Sequence, residues 1–398
     1  MPTPPSSPRP PLLFYCQHSV GLGHLVRSLA LAGGLAAHFQ VVMLSGGPLP
    51  THLQIPPGVR LIALPPLGHD ADYALVSRDP HWTVQQAMRE RTRLIQATFD
   101  ALAPRVVMVE LFPFGRKKFA FELLPLLERA HSAPHRPLVL CSLRDILVTR
   151  RPDQPQHDQR ACQLANHYLD AILVHADPRF ARLEESFHPS TPLAVPVHYT
   201  GFVTHTMTRH TPPPHQRPQR VLVSAGGGLI GEPLLRAAVA AQPTLLECEG
   251  LTTTVAAGPF LPDPAWQWLT QTARHQPGLQ VHRYLPDLAG QMATSRLSIS
   301  QCGYNTAMDI LASRTPAVVV PFADGREDEQ STRARRLQHL GVLHVLDSHR
   351  LDPSSLVAAA RQALRSHPQR LDLDFDGRAN STRLVAALAG VPDAASTR

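Results

Sequence analysis

"LSISQCGYNTAMDILASRTPAVVVPF", residues 297–322, is the stretch that decides the fold. The apolar run 297–302 reads as a strand ending at Gly303. Tyr304, Asn305 and Thr306 then carry the first free amides of a helix. A second apolar run, 317–322, is the next strand. Strands apolar on both faces and joined by helices belong to a parallel sheet covered on both sides.

The same alternation extends outward. In the second half it predicts strands at 220–225, 251–257, 279–284 and 342–347. In the first half it predicts strands at 12–17, 39–44, 59–64, 105–110, 137–143, 171–176 and 197–202, with the clearest helices at 83–103 and 116–130. Between the halves, "THTMTRHTPPPHQRPQ" (204–219) has no apolar period, and its prolines break any element. The division expected is a Pro-rich disordered tail (1–11), one domain (12–203), a linker (204–219), a second domain (220–385) and a flexible tail (386–398). Both domains read as doubly wound α/β units. Ligands of such sheets bind beyond the carboxyl ends of the strands, so two units in series create a cleft.

Composition narrows the class without choosing a ligand. The 398 residues carry 38 Lys and Arg against 31 Asp and Glu, a net charge of +7. That balance attracts phosphates, nucleotides or an anionic membrane surface. Nucleic acid is disfavoured, because the glycines and acids concentrate at strand ends while the arginines are scattered. The start lacks a signal-peptide core, and no run reaches the ~20 apolar residues of a membrane span. Five cysteines without a C-x-x-C pair read as free buried thiols in a reducing cytoplasm. His205, His210 and His215 lie in the linker without a Cys or carboxylate partner and read as linker, not zinc site.

The strand ends supply the candidates. Gly226, Gly227 and Gly228, with Gly231, form a G-x-G-x-x-G turn between strand and helix, where backbone amides can meet an anion. A nicotinamide fold needs an acid ending the next strand, but that strand runs into "AAGPF". A phosphate or sugar loop and a plain tight turn remain. The helix start at Gly303, Tyr304, Asn305 and Thr306 suits a diphosphate, and Asp309 can accept two hydroxyls of a ribose. Glu329 and Gln330 can hold sugar hydroxyls, or simply begin a solvated helix. In the first half, Gly21 and Gly23 precede His24, a general-base candidate whose rivals are a helix cap and a phosphate contact; His18 reads as structural. Glu110 ends a strand facing the cleft and is the second catalytic candidate. Arg116 and Lys117, with Lys118 and the phenylalanines of "LFPFGRKKFAF", read as an acceptor surface or a buried helix face beside a basic turn. Arg144, Asp145 and His175 are weaker strand-end candidates.

Taken in order, the Gly-x-x-Thr helix start, Asp309, Pro321-Phe322 and Glu329-Gln330 resemble the donor-site signature of the GT-B glycosyltransferases. The resemblance is closest to the type that adds N-acetylglucosamine to the lipid-linked peptidoglycan precursor, and to a related group inferred to be glycosyltransferases. "ELFPFGRKKFAFELLPLLE", "SLRDILV", "SAGGG" and "QCGYNT" are similar to that group. The peptidoglycan enzymes have a glutamate at the position of Asp309 and a Gln-Gln pair at that of Glu329-Gln330. The resemblance implies a GT-B fold, a nucleotide-diphosphate sugar donor, taken as UDP-linked, and no metal or cofactor. It also implies His24 as base for an inverting transfer. The acceptor expected is lipid-linked or anionic, with peripheral contact at the inner membrane face. A nucleotide-sugar hydrolase or 2-epimerase of the same fold, or a binding protein without turnover, stays open.

Overall fold

The computed structural model describes residues 9–19, 21–51, 53–70, 73–204, 212–213, 216–322 and 328–392. The amino-terminal half contains β1 (Pro11–Cys16), α1 (Gly23–Leu35), β2 (Gln40–Ser45), β3 (Val59–Ala63), β4 (Leu67–His69), β5 (Leu75–Ser77) and α2 (Val84–Leu102). It continues through β6 (Val106–Glu110), α3 (Ala120–His131), β7 (Leu138–Leu143), α4 (Gln154–Tyr168), β8 (Ala171–Val174) and β9 (Val197–Tyr199). The carboxyl-terminal half begins with β10 (Arg220–Ser224), α5 (Glu232–Glu249), β11 (Thr252–Ala256), α6 (Asp263–His275), β12 (Leu279–His282) and α7 (Leu288–Ala293). There follow β13 (Leu297–Ser300), α8 (Tyr304–Ser313), β14 (Ala317–Val319), α9 (Glu329–His339), β15 (His344–Val345), α10 (Pro353–Arg365) and α11 (Gly377–Leu388).

Two parallel sheets result, ordered β3-β2-β1-β6-β7-β8-β9 and β12-β11-β10-β13-β14-β15. The two-residue alternation of β1 explains how one strand serves two cores. Leu12, Phe14 and Cys16 pack with Val41, Met43, Val106 and Met108 on the α1 side. Leu13 and Tyr15 pack with Val42, Leu44, Val107 and Val109 on the side of α2 and α3. Each such buried aliphatic side chain contributes roughly 1.5–3 kcal/mol. In each sheet the order reverses beside the first strand, between β1 and β6 and between β10 and β13. The loops leaving the carboxyl ends there diverge and leave a crevice.

The two halves are not separate cores. The inner layer of the second sheet, with Met308, Ala317 and Val319, joins the amino-terminal cluster through Phe180, Phe202 and Tyr304. The Phe180 and Phe202 rings lie 5.5 Å apart, edge to face.

Two features depart from the sequence reading. The antiparallel pair β4–β5 was not expected, because its residues show no apolar alternation. The second departure is the end of the chain. After α10 packs on α5, the chain crosses back, with Phe202 N–H donating to Asp374 O and Gly377 N–H to Phe202 O. Helix α11 then lies on α1, where Val385, Ala386 and Ala389 join the amino-terminal core. Gly34 permits this approach, since a Cβ there would stand 2.6 Å from Thr382 Oγ1. The expected domain end at 385 and tail from 386 therefore divide a helix that closes the first sheet. Arg105 Nη2 donating to Ala389 O at 2.8 Å fixes its end. The terminal stretches 1–8 and 393–398 and the linker histidines His205, His210 and His215 lie outside the described residues. No helix among the described residues is long and apolar enough to cross a membrane.

Candidate active site at the cleft

The loops after β1 and β13 meet where Asn305 Nδ2 donates to Gly23 O at 3.3 Å. Glu110 ends the neighbouring β6, and the glycine loop follows the neighbouring β10. His24 is the second residue of α1, and its side chain is 18% exposed. Glu110 ends β6 and is fully buried. His24 Nδ1 lies 2.5 Å from Glu110 Oε1. Arg27 Nη2 donates to the same oxygen at 2.6 Å, and Arg116 Nη2 donates to Oε2 at 3.3 Å.

The electrostatics assign the protons. Burial opposes a charge on Glu110, but His24, Arg116 and Arg27 outweigh it and hold the carboxyl well below its ordinary range. Burial also pushes the His24 imidazole down to about 3; Glu110 works against this, and Arg116 and Arg144 reinforce it. A neutral imidazole beside an ionised carboxylate keeps its proton on Nδ1 and donates it to Glu110. Nε2 is then the basic nitrogen. The ordinary imidazole value expected from sequence does not hold here, because the ring is desolvated. Both Glu110 oxygens are engaged, by His24, Arg27 and Arg116.

Across the crevice the glycine loop adopts the conformations its residues permit. Gly226 has φ +59° and Gly228 φ +91°, the left-handed region that favours glycine. A Cβ on Gly228 would press to 2.6 Å from Ala257 O, while one on Gly226 would meet only Gln301 Oε1 at 3.9 Å. Gly227 O accepts the Phe260 amide at 2.9 Å, tying the loop to the end of β11. Gly303 is the N-cap of α8, without a side-chain cap, and a Cβ there would find nothing within 4 Å. Gly21 is equally open, and a Cβ on Gly23 would meet only Asn305 Nδ2 at 3.8 Å. The amides of Tyr304, Asn305 and Thr306 thus begin a helix beside open space, a geometry suited to an anion. Asp309 is half-buried one and a half turns into α8. Burial, then the nearby Asp287, raise its carboxyl to about 7.

Several predicted site residues turn out to hold the halves together. The Tyr304 side chain is buried, donates to His175 O at 2.7 Å and accepts from Val203 N–H at 3.0 Å. Only its amide remains for a donor. Asn305 Nδ2 donates to Gly23 O at 3.3 Å, linking the starts of α8 and α1. Glu329 was read as a sugar contact, but its carboxylate is held by Arg333, at 2.5 Å, and by Arg144. Gln330 Oε1 accepts the amides of Cys302 and Phe322, bracing the ends of β13 and β14. Lys117 is exposed and paired with Asp153 at 3.0 Å, away from Glu110. Phe112, Phe114 and Phe119 are core, not acceptor surface. His175 is buried between Ser142 and Thr200, and His18 hydrogen-bonds Pro48 O; both are structural.

Sequence reasoning missed Arg27 and Arg333 as functional neighbours. Arg333 donates to both Asp145 oxygens, at 2.8 and 2.6 Å, and to Cys302 O at 3.0 Å. Its guanidinium and that of Arg27 flank the Tyr304 ring, 5.9 and 5.2 Å from its centre. The available signal was an arginine on the apolar stripe of each helix, among Leu25, Leu29 and Ala32 in α1 and Ala334 and Leu337 in α9.

Known proteins share this fold. Over its whole length the chain resembles the solved structure of Acinetobacter baumannii MurG, with 16% identity, 96% of this chain and 99% of that chain covered, and a TM-score of 0.53. It likewise resembles a Polygonum tinctorium UDP-glucosyltransferase, with 14% identity, coverage of 96% and 99%, and a TM-score of 0.61. The fold is GT-B. Within this GT-B chain, residues 232–383 match the glycosyltransferase family 28 C-terminal domain. A Rhizobium johnstonii relative is 29% identical over 124 residues, 31% of each chain. Its name is UDP-N-acetylglucosamine--N-acetylmuramyl-(pentapeptide) pyrophosphoryl-undecaprenol N-acetylglucosamine transferase. The match thus spans about a third of that curated relative's length.

Proposed function

We propose that the protein is a glycosyltransferase that moves a sugar from a nucleotide-diphosphate donor, UDP-linked, to an acceptor hydroxyl with inversion. The observation that carries this reading is the meeting of two switch points, where Asn305 Nδ2 after β13 donates to Gly23 O after β1. One bears a neutral histidine oriented by a buried carboxylate, and the other a glycine loop and an open helix start. The match of residues 232–383 to a glycosyltransferase domain supports the same division.

The glycine loop and the amides of 304–306 receive the diphosphate, and Asp309 receives the ribose. Ribose hydroxyls donating to Asp309 favour its ionised form, offsetting the burial that raises it. His24 Nε2 takes the acceptor proton as the acceptor oxygen attacks the anomeric carbon. The bond to the diphosphate breaks on the opposite face, and the diphosphate leaves with the electron pair. Glu110 stabilises the imidazolium that forms. The positive end of α8 stabilises the leaving group in a role that needs no metal. Glu329 reaches the sugar only if its Arg144 contact opens, and Gln330 only through its amide nitrogen, since its oxygen accepts from Cys302 and Phe322. The acceptor is lipid-linked or anionic, in line with the pyrophosphoryl-undecaprenol in the Rhizobium relative's name, and the proposed site of action is the cytoplasm, at the membrane's inner face.

The test is a single-turnover assay across UDP-sugars and acceptors. His24→Ala is expected to slow the chemical step by roughly 10²–10⁴-fold with UDP affinity unchanged. Near-normal turnover in folded His24→Ala would overturn the assignment of the base. Donor breakdown without an acceptor would instead identify a hydrolase.

A further inference from the structure

Around His24 and Tyr304 the cleft holds four guanidiniums, Arg27, Arg116, Arg144 and Arg333, against three carboxylates, Glu110, Asp145 and Glu329. Two of the four are inaccessible, with side-chain exposures of 1% for Arg27 and 0% for Arg333. Arg116 and Arg144 reach the cleft surface, at 13% and 14%. Each of these two, like the inaccessible Arg27, has a buried Nε without a hydrogen-bond partner among the described residues. A guanidinium presents a fixed fork of five N–H donors, and leaving one buried and unmet is unfavourable. Arg116 is held in the left-handed region, at φ +61°, with only a long contact of 3.3 Å to Glu110. Arg144 spends Nη1 on Glu329. Both stand at the carboxyl ends of adjacent strands, β6 and β7, beside the strand whose loop carries His24.

We propose that Arg116 and Arg144 form an oxyanion clamp for the acceptor, binding a phosphate or carboxylate group adjacent to the hydroxyl that His24 deprotonates. This rests on the glycosyltransferase reading and adds the chemistry of the acceptor to it. The clamp belongs to the amino-terminal half, whereas the donor diphosphate has its own amides on the glycine loop and α8. An oxyanion between the arginines accepts from the parts of the guanidiniums that reach the cleft surface and neutralises the excess positive charge. It also fixes the attacking hydroxyl relative to Nε2.

Inorganic phosphate is the probe. The full chain, labelled with 15N-histidine, is titrated with phosphate at constant ionic strength, with and without saturating UDP. The His24 signal is assigned by its loss in His24→Gln. The clamp predicts saturable movement of that signal in both series. It also predicts at least a tenfold rise in the phosphate dissociation constant in Arg116→Met and in Arg144→Met, with partial recovery in Arg116→Lys and Arg144→Lys. Loss of phosphate binding when UDP is present, with UDP itself weakened in the Met variants, would assign the slot to the donor's phosphates and overturn the acceptor role. Movement no different from that with chloride, or equal in wild type and folded Met variants, would overturn the clamp altogether. The series without UDP reads the arginine pair even if the chain binds no UDP, so failure of the donor reading is distinguishable. Thermal melts establish that the variants fold.

Discussion

Two arginine–carboxylate clusters lie under neighbouring loops of the first sheet and differ in one respect. Arg91 is fully buried and has every guanidinium nitrogen engaged. Nε and Nη2 hold Glu122 at 2.8 and 2.5 Å, Nη1 holds Gly46 O and Pro65 O, and Nη2 also reaches Gln17 at 2.7 Å. Tyr15 completes the group by donating to Glu122 at 2.5 Å. Around Glu110 the arrangement is incomplete: Arg27 and Arg116 both keep a buried Nε without a partner among the described residues. Saturated polar networks rigidify a core, while buried donors left unmatched mark a cluster whose own side chains do not complete its hydrogen bonding. The comparison separates a structural cluster from a reactive one made of the same residue types.

The largest expected effect belongs to the saturated cluster. Arg91→Met removes one partner of a buried pair and leaves Glu122 uncompensated, a loss of about 3–5 kcal/mol. Arg116→Met should cost much less stability while impairing turnover. Chemical denaturation of both variants checks this, and equal losses would dissolve the distinction.

A smaller effect is expected at Glu110. Glu110→Gln keeps the shape but not the charge that steadies the imidazolium, and should lower turnover on the order of 10²-fold. The pH dependence has a definite sign. His24 is pushed down to about 3 by burial, so the base stays neutral and kcat at saturating donor should stay level from pH 8 to 5. By contrast, kcat/KM for the donor should fall below about pH 7 as Asp309 is protonated. Folding should behave differently. Buried His24 and His175 both resist protons that the unfolded chain accepts below about 6.5. Stability therefore falls as pH drops from there toward their folded values of about 3. A limb in kcat at saturating donor centred near 6.5, without loss of folded protein, would contradict the buried setting of His24.

Much of the fold was legible because parallel strands buried on both faces are continuous apolar runs, as in 106–110 and 297–300. The β4–β5 hairpin was not, since "LGHDADYALVS" carries polar residues and no alternation. The helix starts at Gly23 and Gly303 were legible from their glycines, and with them His24 and the open amides. What local pattern cannot reveal is pairing across the chain. Arg333 meets Asp145 from 188 positions away, and Asp328 reaches Thr149 across the cleft. For the same reason Glu329 reads locally as an available carboxylate, although two guanidiniums occupy it. Glu110 was placed correctly at a strand end, but only the third dimension reveals that it is sealed beneath His24.

The central claim is that the two sides of the cleft divide the work, with the donor held by α8 and the base carried by α1. Calorimetric titration of UDP into wild type, Asp309→Ala and His24→Ala tests it most directly. The account predicts one UDP per chain, affinity weakened by ~1–3 kcal/mol in Asp309→Ala, and no change in His24→Ala. UDP binding that survives Asp309→Ala intact but fails in folded His24→Ala would contradict it.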